Sequence, residues 1–365
     1  MTHESTFPQT NTASNAETPV RDSLIIRLAE AGKIPDALLR MGIRHISRRR
    51  LRDELAGGEN EAERRMRGYL QEWQAGPVAL VPEKANEQHY EVPPRFFELT
   101  LGRYLKYSCG LWDAGTDTLD DAEATMLALT CERAELADGQ AVLELGCGWG
   151  SLSLWMAEKY PASRIVSVSN STPQRQWIEA TARDRGLDNL TVITADINDF
   201  QIDEQFDRVV SVEMFEHCRN HQELFRRIRG WLAPGGKLFT HVFCHRTLFY
   251  PYEAKGDSDW MARHFFSGGI MPSFDYFMKA QQSLRLDSRW WLDGTHYQQT
   301  SEAWLALTDS HRDELVALFA RDGQDGALVV QRWRMFYMAV AEFFGLDNGR
   351  QWGVGHYRFS LPDAA

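Results

Sequence analysis

The chain has 365 residues, 43% of them hydrophobic, with 12 tryptophans and 19 phenylalanines; this is enough for one large α/β domain with additions, or for two domains, around a sizeable core. Forty basic residues against 51 acidic ones leave a net charge of −11, which argues against bulk nucleic-acid binding through a clustered positive face. Five cysteines, at 109, 131, 147, 218 and 244, form no CxxC pair and no even framework, and no window approaches the roughly 18 consecutive apolar residues of a membrane span, so a soluble cytoplasmic protein with reduced thiols and no metal centre is expected.

Residues 1–20 are polar, lack the apolar stretch of a signal peptide, and read as a disordered tail. Residues 21–95 read as a helical cap, because Leu24, Ile25, Leu28 and Ala29, and then Leu38, Leu39, Ile43 and Ile46, recur at helical spacing. The basic run RHISRRRLRDE (44–54) reads as a solvated helix face rather than a lipid contact, since acidic residues follow at once. A loop with Gly76-Pro77 and Pro93-Pro94 leads to the aromatic stretch FFELTLGRYLKYSCGLW (96–112), which opens a second domain running from 96 to 365.

From about residue 120 helix and strand alternate. A helix carrying Ala122, Met126, Leu127 and Leu129 precedes strands expected at 141–145, 164–169, 190–195, 208–212 and 237–243, each joined to the next by a helix-length segment. That order is the mark of βαβ units in a doubly wound parallel sheet, an α/β fold. Segment 245–277 is aromatic, punctuated by Gly and Pro, and aperiodic; it reads as a substrate-covering lid, with the insertion drawn from about 245 to 285. Helices at 301–320 and 326–345 and a last strand at 353–359 complete the expected elements.

The strand-to-helix turn VLELGCGWGSLSLWMAEKY lets the backbone at Gly146, Gly148 and Gly150 approach a ligand while the next helix aims its amides at it. The spacing is G-x-G-x-G rather than the dinucleotide G-x-G-x-x-G, and the second strand ends in Ser169-Asn170, without the acid that a dinucleotide ribose needs. Glu144 before the turn suits the cationic aminopropyl end of S-adenosylmethionine better than a pyrophosphate, and Asp196 after the third strand could accept a hydrogen bond from an adenine amino group.

With SNSTPQRQWI, VEMFEHCRNH, HVFCHRTLFYPYE and DSDWMARHFFSGGIMPS, that turn makes the chain resemble coclaurine N-methyltransferase-like enzymes of the cyclopropane fatty acid synthase-like group, from about residue 22 to the end. The resemblance implies a class I, Rossmann-like methyltransferase with S-adenosylmethionine held at Tyr107, Ser108, Gly146, Gly148, Asn170, Gln174, Asp196 and Ile197. It also implies an E-x-x-E-H motif at Glu213, Glu216 and His217. In the cyclopropane synthases a bicarbonate sits near residues that match Cys109, Glu216 and His241.

Ligands of a doubly wound sheet bind beyond the carboxyl ends of its strands, which places residues 213–217 beside the glycine turn. Methylating an amine requires an unprotonated lone pair, so Glu216 is expected to grip the amine, His217 to accept or relay its proton, and Glu213 to orient that pair. Glu216 could instead simply begin a helix through Leu224, Ile228 and Trp231, where an acid favours the helix dipole. Tyr250, Trp260, Phe265 and Phe266 are expected to cover an aromatic, cationic substrate, with Cys109 and His241 as further substrate contacts. The leading expectation is an N-methyltransferase of a small aromatic amine, with the oligomeric state open. The alternatives are modification of a phospholipid acyl chain at Cys109, Glu216 and His241, and a non-catalytic binding module.

Overall fold

Three helices open the described part of the chain in a computed structural model, which describes residues 23–80, 92–253 and 260–362; the expected tail at 1–20 and part of the expected lid, 254–259, lie outside the described residues. Ser23 begins α1 (Leu24–Glu30) by accepting the Ile26 N–H; α2 (Asp36–Glu54) and α3 (Glu59–Trp73) follow. The basic run does lie on a helix, where Arg49 pairs with Asp53 and Arg50 with Glu54 at i,i+4 spacing. On the inner side of α2, Leu39, Ile43 and Leu51 pack on the core, while Arg40 reaches Glu302 and Glu342 and Arg44 reaches Glu342.

After α4 (Pro94–Thr100), α5 (Leu119–Arg133) starts at Thr118, whose hydroxyl accepts the Asp121 N–H. It feeds β1 (Ala141–Leu145), and the chain then alternates through α6 (Ser151–Lys159), β2 (Arg164–Ser169), α7 (Thr172–Asp184), β3 (Leu190–Thr194), β4 (Phe206–Val212), α8 (His221–Trp231) and β5 (Leu232–His245). These five strands are parallel and are continued by β9 (Trp352–Ser360), which runs antiparallel to β5, and by β8 (Arg285–Asp293), which pairs antiparallel with β9 and so runs in the direction of the five, in the order β3-β2-β1-β4-β5-β9-β8. Val142, Leu143, Leu145, Ile165, Val209 and Val210 are buried, as strands covered on both faces require. The order reverses at β1 beside β4, and the carboxyl ends of these two strands open the crevice where such sheets bind ligands.

Four expectations need correction. β5 begins at Leu232 rather than 237, because Leu232 is buried and pairs with Phe206 before the register shifts. β8 is an additional strand that ends the lid insertion near residue 284; its mixture of Arg, Asp, Ser and Trp carries no clean alternation, and it lies on the sheet edge. The helix expected at 301–320 is two, α11 (Thr295–Ser310) and α12 (Arg312–Arg321), divided at His311. Glu216 does not start α8. That helix begins at Asn220, whose side chain accepts the Glu223 N–H, whereas Glu216 lies in a single 3-10 turn, Phe215–His217.

The lid carries β6 (Tyr250–Pro251) paired with β7 (Ile270–Met271), together with α9 (Trp260–His264) and α10 (Tyr276–Ala280). The last helix, α13 (Gly326–Phe344), packs against α11 and α2 and so joins the N-terminal helices to the sheet-bearing body. No helix among the described residues is long and apolar enough to cross a membrane.

Candidate active site

Two cavities meet beyond the carboxyl ends of β1 and β4. The first is lined by the glycine turn after β1, by Ser169, Asn170 and Gln174 after β2, by Ala195 and Ile197 after β3, and by Lys106, Tyr107 and Ser108 before α5. It therefore brings together seven of the eight residues expected to hold a cofactor. The eighth, Asp196, does not line it; its Oδ1 accepts the Asn198 N–H at 2.7 Å, which shapes the turn after β3. Glu144 does line it, but its carboxyl accepts hydrogen bonds from the Ser153 and Ser167 hydroxyls, and burial pushes its pKa up to about 7.

The second cavity, about 550 Å³, is almost wholly apolar. Ile43 of α2, Phe243 of β5, Tyr250, Trp260 and Phe266 of the lid, and Phe336 and Phe343 of α13 line it. Trp260 also donates its indole N–H to Glu30 of α1 at 3.0 Å, tying the lid to the N-terminal helices. Phe265 is not at the surface of this cavity as expected; its ring stacks on Phe336 at 4.4 Å in the core beneath.

Tyr107, Glu213 and His217 line both cavities and so form the junction between them. Glu213 follows β4 with φ +48°, a left-handed conformation rare for a side chain of this kind, and its N–H donates to the His241 carbonyl at 2.8 Å. Three groups converge on its carboxylate: Oε1 accepts from the Cys109 N–H (3.0 Å) and lies 3.1 Å from His241 Nε2, and Oε2 accepts from the Tyr297 hydroxyl (2.6 Å). Burial raises the Glu213 pKa, while the Lys106 charge, the Tyr297 hydroxyl and the Cys109 N–H pull it back. Burial also holds His217 down at about 4, against the pull of the Glu213 charge, so its imidazole is neutral at pH 7.

Glu216 behaves differently from the role expected of it. It is fully buried and lines neither cavity; Oε1 accepts the Phe243 N–H at 2.5 Å, and Oε2 has no partner among the described residues. Burial and the Glu213 charge together raise its pKa well above the carboxylate range, so of two neighbouring acids Glu213 carries the charge and Glu216 the proton. Cys109 and His241 do not face substrate as expected either: both are fully buried behind Glu213, which the Cys109 N–H and the His241 ring hold in place.

The model of the mycolic acid cyclopropane synthetase family matches residues 81–349. (S)-coclaurine N-methyltransferase of Thalictrum flavum subsp. glaucum is 35% identical over 92% of this chain and 94% of its own, and that of Papaver somniferum is 32% identical over 92% and 97%. The chain belongs to the mycolic acid cyclopropane synthetase family, in its coclaurine N-methyltransferase-like branch. A crystal structure of coclaurine N-methyltransferase bound to N-methylheliamine and S-adenosylhomocysteine superimposes with a TM-score of 0.88, at 34% identity over 92% of this chain and 98% of that one. A cyclopropane synthase from Mycobacterium tuberculosis, 21% identical, shares the fold with a TM-score of 0.66 over 78% of this chain.

The protein is thus an S-adenosylmethionine-dependent N-methyltransferase, and the first cavity fits that methyl donor. Gln174 Nε2 and Ser151 Oγ are buried there without partners among the described residues, as groups waiting for a polar ligand would be. Gly148 has φ +52°, and a Cβ built on it would meet nothing within 4 Å, so its backbone faces open space. Two site residues of the methyltransferase escaped the sequence reading. Lys106 is buried beside Tyr107 and donates to Ser108 Oγ (2.5 Å) and the Cys109 carbonyl (2.8 Å); a lysine within an aromatic stretch was the available signal. Tyr297 lies far along the chain on α11, and nothing in its local pattern marks it. Among the described residues no group of His, Cys, Asp and Glu is arranged to hold a metal ion.

Proposed function

We propose that this methyltransferase acts on a small aromatic amine, an arylalkylamine or tetrahydroisoquinoline-like compound, whose nitrogen is held by Glu213 with His217 as its neighbour. The observation that carries this reading is that these two polar side chains stand where the cofactor cavity opens into an aromatic cavity. The relatives named for coclaurine and pavine N-methylation support the choice of amine.

An alkylamine has a pKa near 10, taking lysine at roughly 10.4 as its model, so at pH 7 a proton blocks the lone pair. S-adenosylmethionine supplies an activated methyl group on sulfur. The Glu213 carboxylate accepts a charge-assisted hydrogen bond from the ammonium and fixes the nitrogen at the junction. Desolvation in the apolar cavity favours the neutral amine, and the proton passes to the Glu213 carboxylate, whose proton affinity burial raises. Phe266, with its ring centre 4.7 Å from that of His217, and the rings of Phe243 and Tyr252 wall the aromatic body of the substrate. Tyr107, Ser108, Asn170 and Gln174 hold the donor, and Cys109, His241 and Tyr297 orient Glu213.

The acyl-chain alternative is disfavoured by the same contacts. The Cys109 N–H and the His241 ring, which would help to hold a carbonate, are already engaged with Glu213. The test is release of S-adenosylhomocysteine with a panel of arylalkylamines, with mass spectrometry for one added methyl on nitrogen, alongside anionic liposomes bearing unsaturated chains. Turnover on the liposomes and on none of the amines would reverse the assignment.

A further inference from the structure

Behind Glu213 the hydrogen bonds continue across the sheet. His241 on β5 and His356 on β9 are directly opposed in the antiparallel register, and His356 Nε2 lies 2.9 Å from His241 Nδ1. His356 Nδ1 lies 2.8 Å from Nη1 of Arg133, at the end of α5, whose guanidinium stacks on Trp290 of β8 at 4.9 Å. The chain therefore runs Arg133–His356–His241–Glu213, with both imidazoles fully buried.

Its direction is fixed at one end. Arginine has donors and no acceptor, so His356 Nδ1 must accept and the ring proton of His356 must sit on Nε2. That proton is donated to His241 Nδ1, which leaves the His241 proton on Nε2, pointing at Glu213 Oε1. The reverse arrangement, with a protonated Glu213 donating to His241, would set a His356 N–H against an Arg133 N–H. Lys106, whose charge also reaches both imidazoles, donates to Ser108 Oγ and the Cys109 carbonyl rather than to either ring.

We propose that Arg133 and His356 are positioning residues for methyl transfer: Arg133 sets the hydrogen-bond direction through His356 and His241, and so keeps Glu213 a charged acceptor aimed at the amine. This rests on the reading of Glu213 as the amine-holding group. Neither residue touches either cavity, so each acts only through His241. The chain orients and does not carry protons; a glutamine in place of His356 can accept from Arg133 with its oxygen and donate to His241 with its nitrogen, and serves the same purpose.

The experiment compares His356→Leu, His356→Gln and Arg133→Met with the full-length enzyme. Losing a hydrogen bond to a charged group lowers kcat/KM for the amine roughly tenfold to hundredfold in His356→Leu and Arg133→Met. S-adenosylhomocysteine affinity by calorimetry stays unchanged, and His356→Gln recovers most of the activity lost in His356→Leu. A His356→Gln enzyme as slow as His356→Leu would overturn positioning in favour of proton conduction, and an Arg133→Met enzyme with full activity would remove Arg133 from the proposal. Should His356→Leu fail to fold, Arg133→Met, at the half-exposed end of the chain, carries the same comparison. Imidazole nitrogen-15 spectra of the enzyme without amine give an independent reading: both rings in the Nε2–H form are expected, and an Nδ1–H form of His241 refutes the proposal. That spectrum needs no substrate, so failure of the amine assignment, with no amine turned over by the wild type, is told apart from failure here.

Discussion

Glu213→Gln and Glu216→Gln are nearly isosteric changes three residues apart, and the structure gives them opposite outcomes. Glu213 receives the Cys109 N–H, the His241 Nε2–H and the Tyr297 hydroxyl on its two oxygens. An amide there turns an NH2 group toward one set of these donors and removes the charge that holds the ammonium. A charge-assisted hydrogen bond is worth ~1.5–3 kcal/mol and a buried donor left facing a donor costs ~1–3 kcal/mol, so the loss is about 3–5 kcal/mol, or roughly 10²- to 10⁴-fold in kcat/KM. Glu216 already carries a proton, and a carboxamide oxygen can accept the Phe243 N–H as the acid does, so Glu216→Gln costs less than about fivefold, below the worth of one net hydrogen bond. The assay is release of S-adenosylhomocysteine under kcat/KM conditions with an amine that the wild type turns over, with thermal melts to show both variants folded. A collapsed Glu216→Gln beside a near-normal Glu213→Gln would refute the division of charge between the two acids.

The glycine turn separates ligand contact from packing. A Cβ at Gly148 meets nothing, whereas one at Gly150 would lie 2.6 Å from the Ile178 side chain; Gly148→Ala is expected to weaken S-adenosylhomocysteine binding by calorimetry with a small change in melting temperature, and Gly150→Ala to lower the melting temperature severely. Burial lowers the His245 pKa from 6.5 to about 4, so the unfolded state binds the extra proton between those values, and this imidazole's contribution to stability is lost as pH falls through that window. His245 Nδ1 accepts the Thr247 and Leu248 N–H groups, which an asparagine can also do, so the melting-temperature gap between wild type and His245→Asn should narrow from pH 6.5 to pH 4; a constant gap would contradict it. Glu30 accepts from Trp260 of the lid and from Arg332, so Glu30→Gln is expected to raise KM for the amine several-fold with S-adenosylhomocysteine affinity unchanged, as steady-state kinetics and calorimetry would show.

The sheet was legible because its five parallel strands are short runs rich in Val, Ile, Leu and Phe divided by helix-length segments, and the glycine turn marks where the strand order reverses. β8 was not, because one side of an edge strand is open to water and RLDSRWWLD keeps no period of two. Most cofactor-cavity residues were legible because they follow strand ends within a few positions, where sequence distance and space agree. The contacts behind Glu213 were not: Cys109, His241, Tyr297, His356 and Arg133 come from different elements, and only the β5–β9 register and the packing of α11 bring them to one carboxylate.

The motif Glu-x-x-Glu-His leaves open which acid faces the substrate, and that choice is made by backbone conformation rather than composition. At φ +48° Glu213 turns off the end of β4 so that its side chain enters the junction, and the 3-10 turn that follows folds Glu216 back beneath β5 against the Phe243 N–H. Two acids this close and this buried cannot both be charged at moderate cost, so the one with more donors keeps the charge. Three donors converge on Glu213 and one on Glu216. A left-handed glutamate costs of order 1 kcal/mol in backbone strain, which the Cys109, His241 and Tyr297 hydrogen bonds offset in the folded site. The second acid is then a neutral, buried support for β5 through the Phe243 N–H, and the first acid, with His217, stands where the two cavities meet.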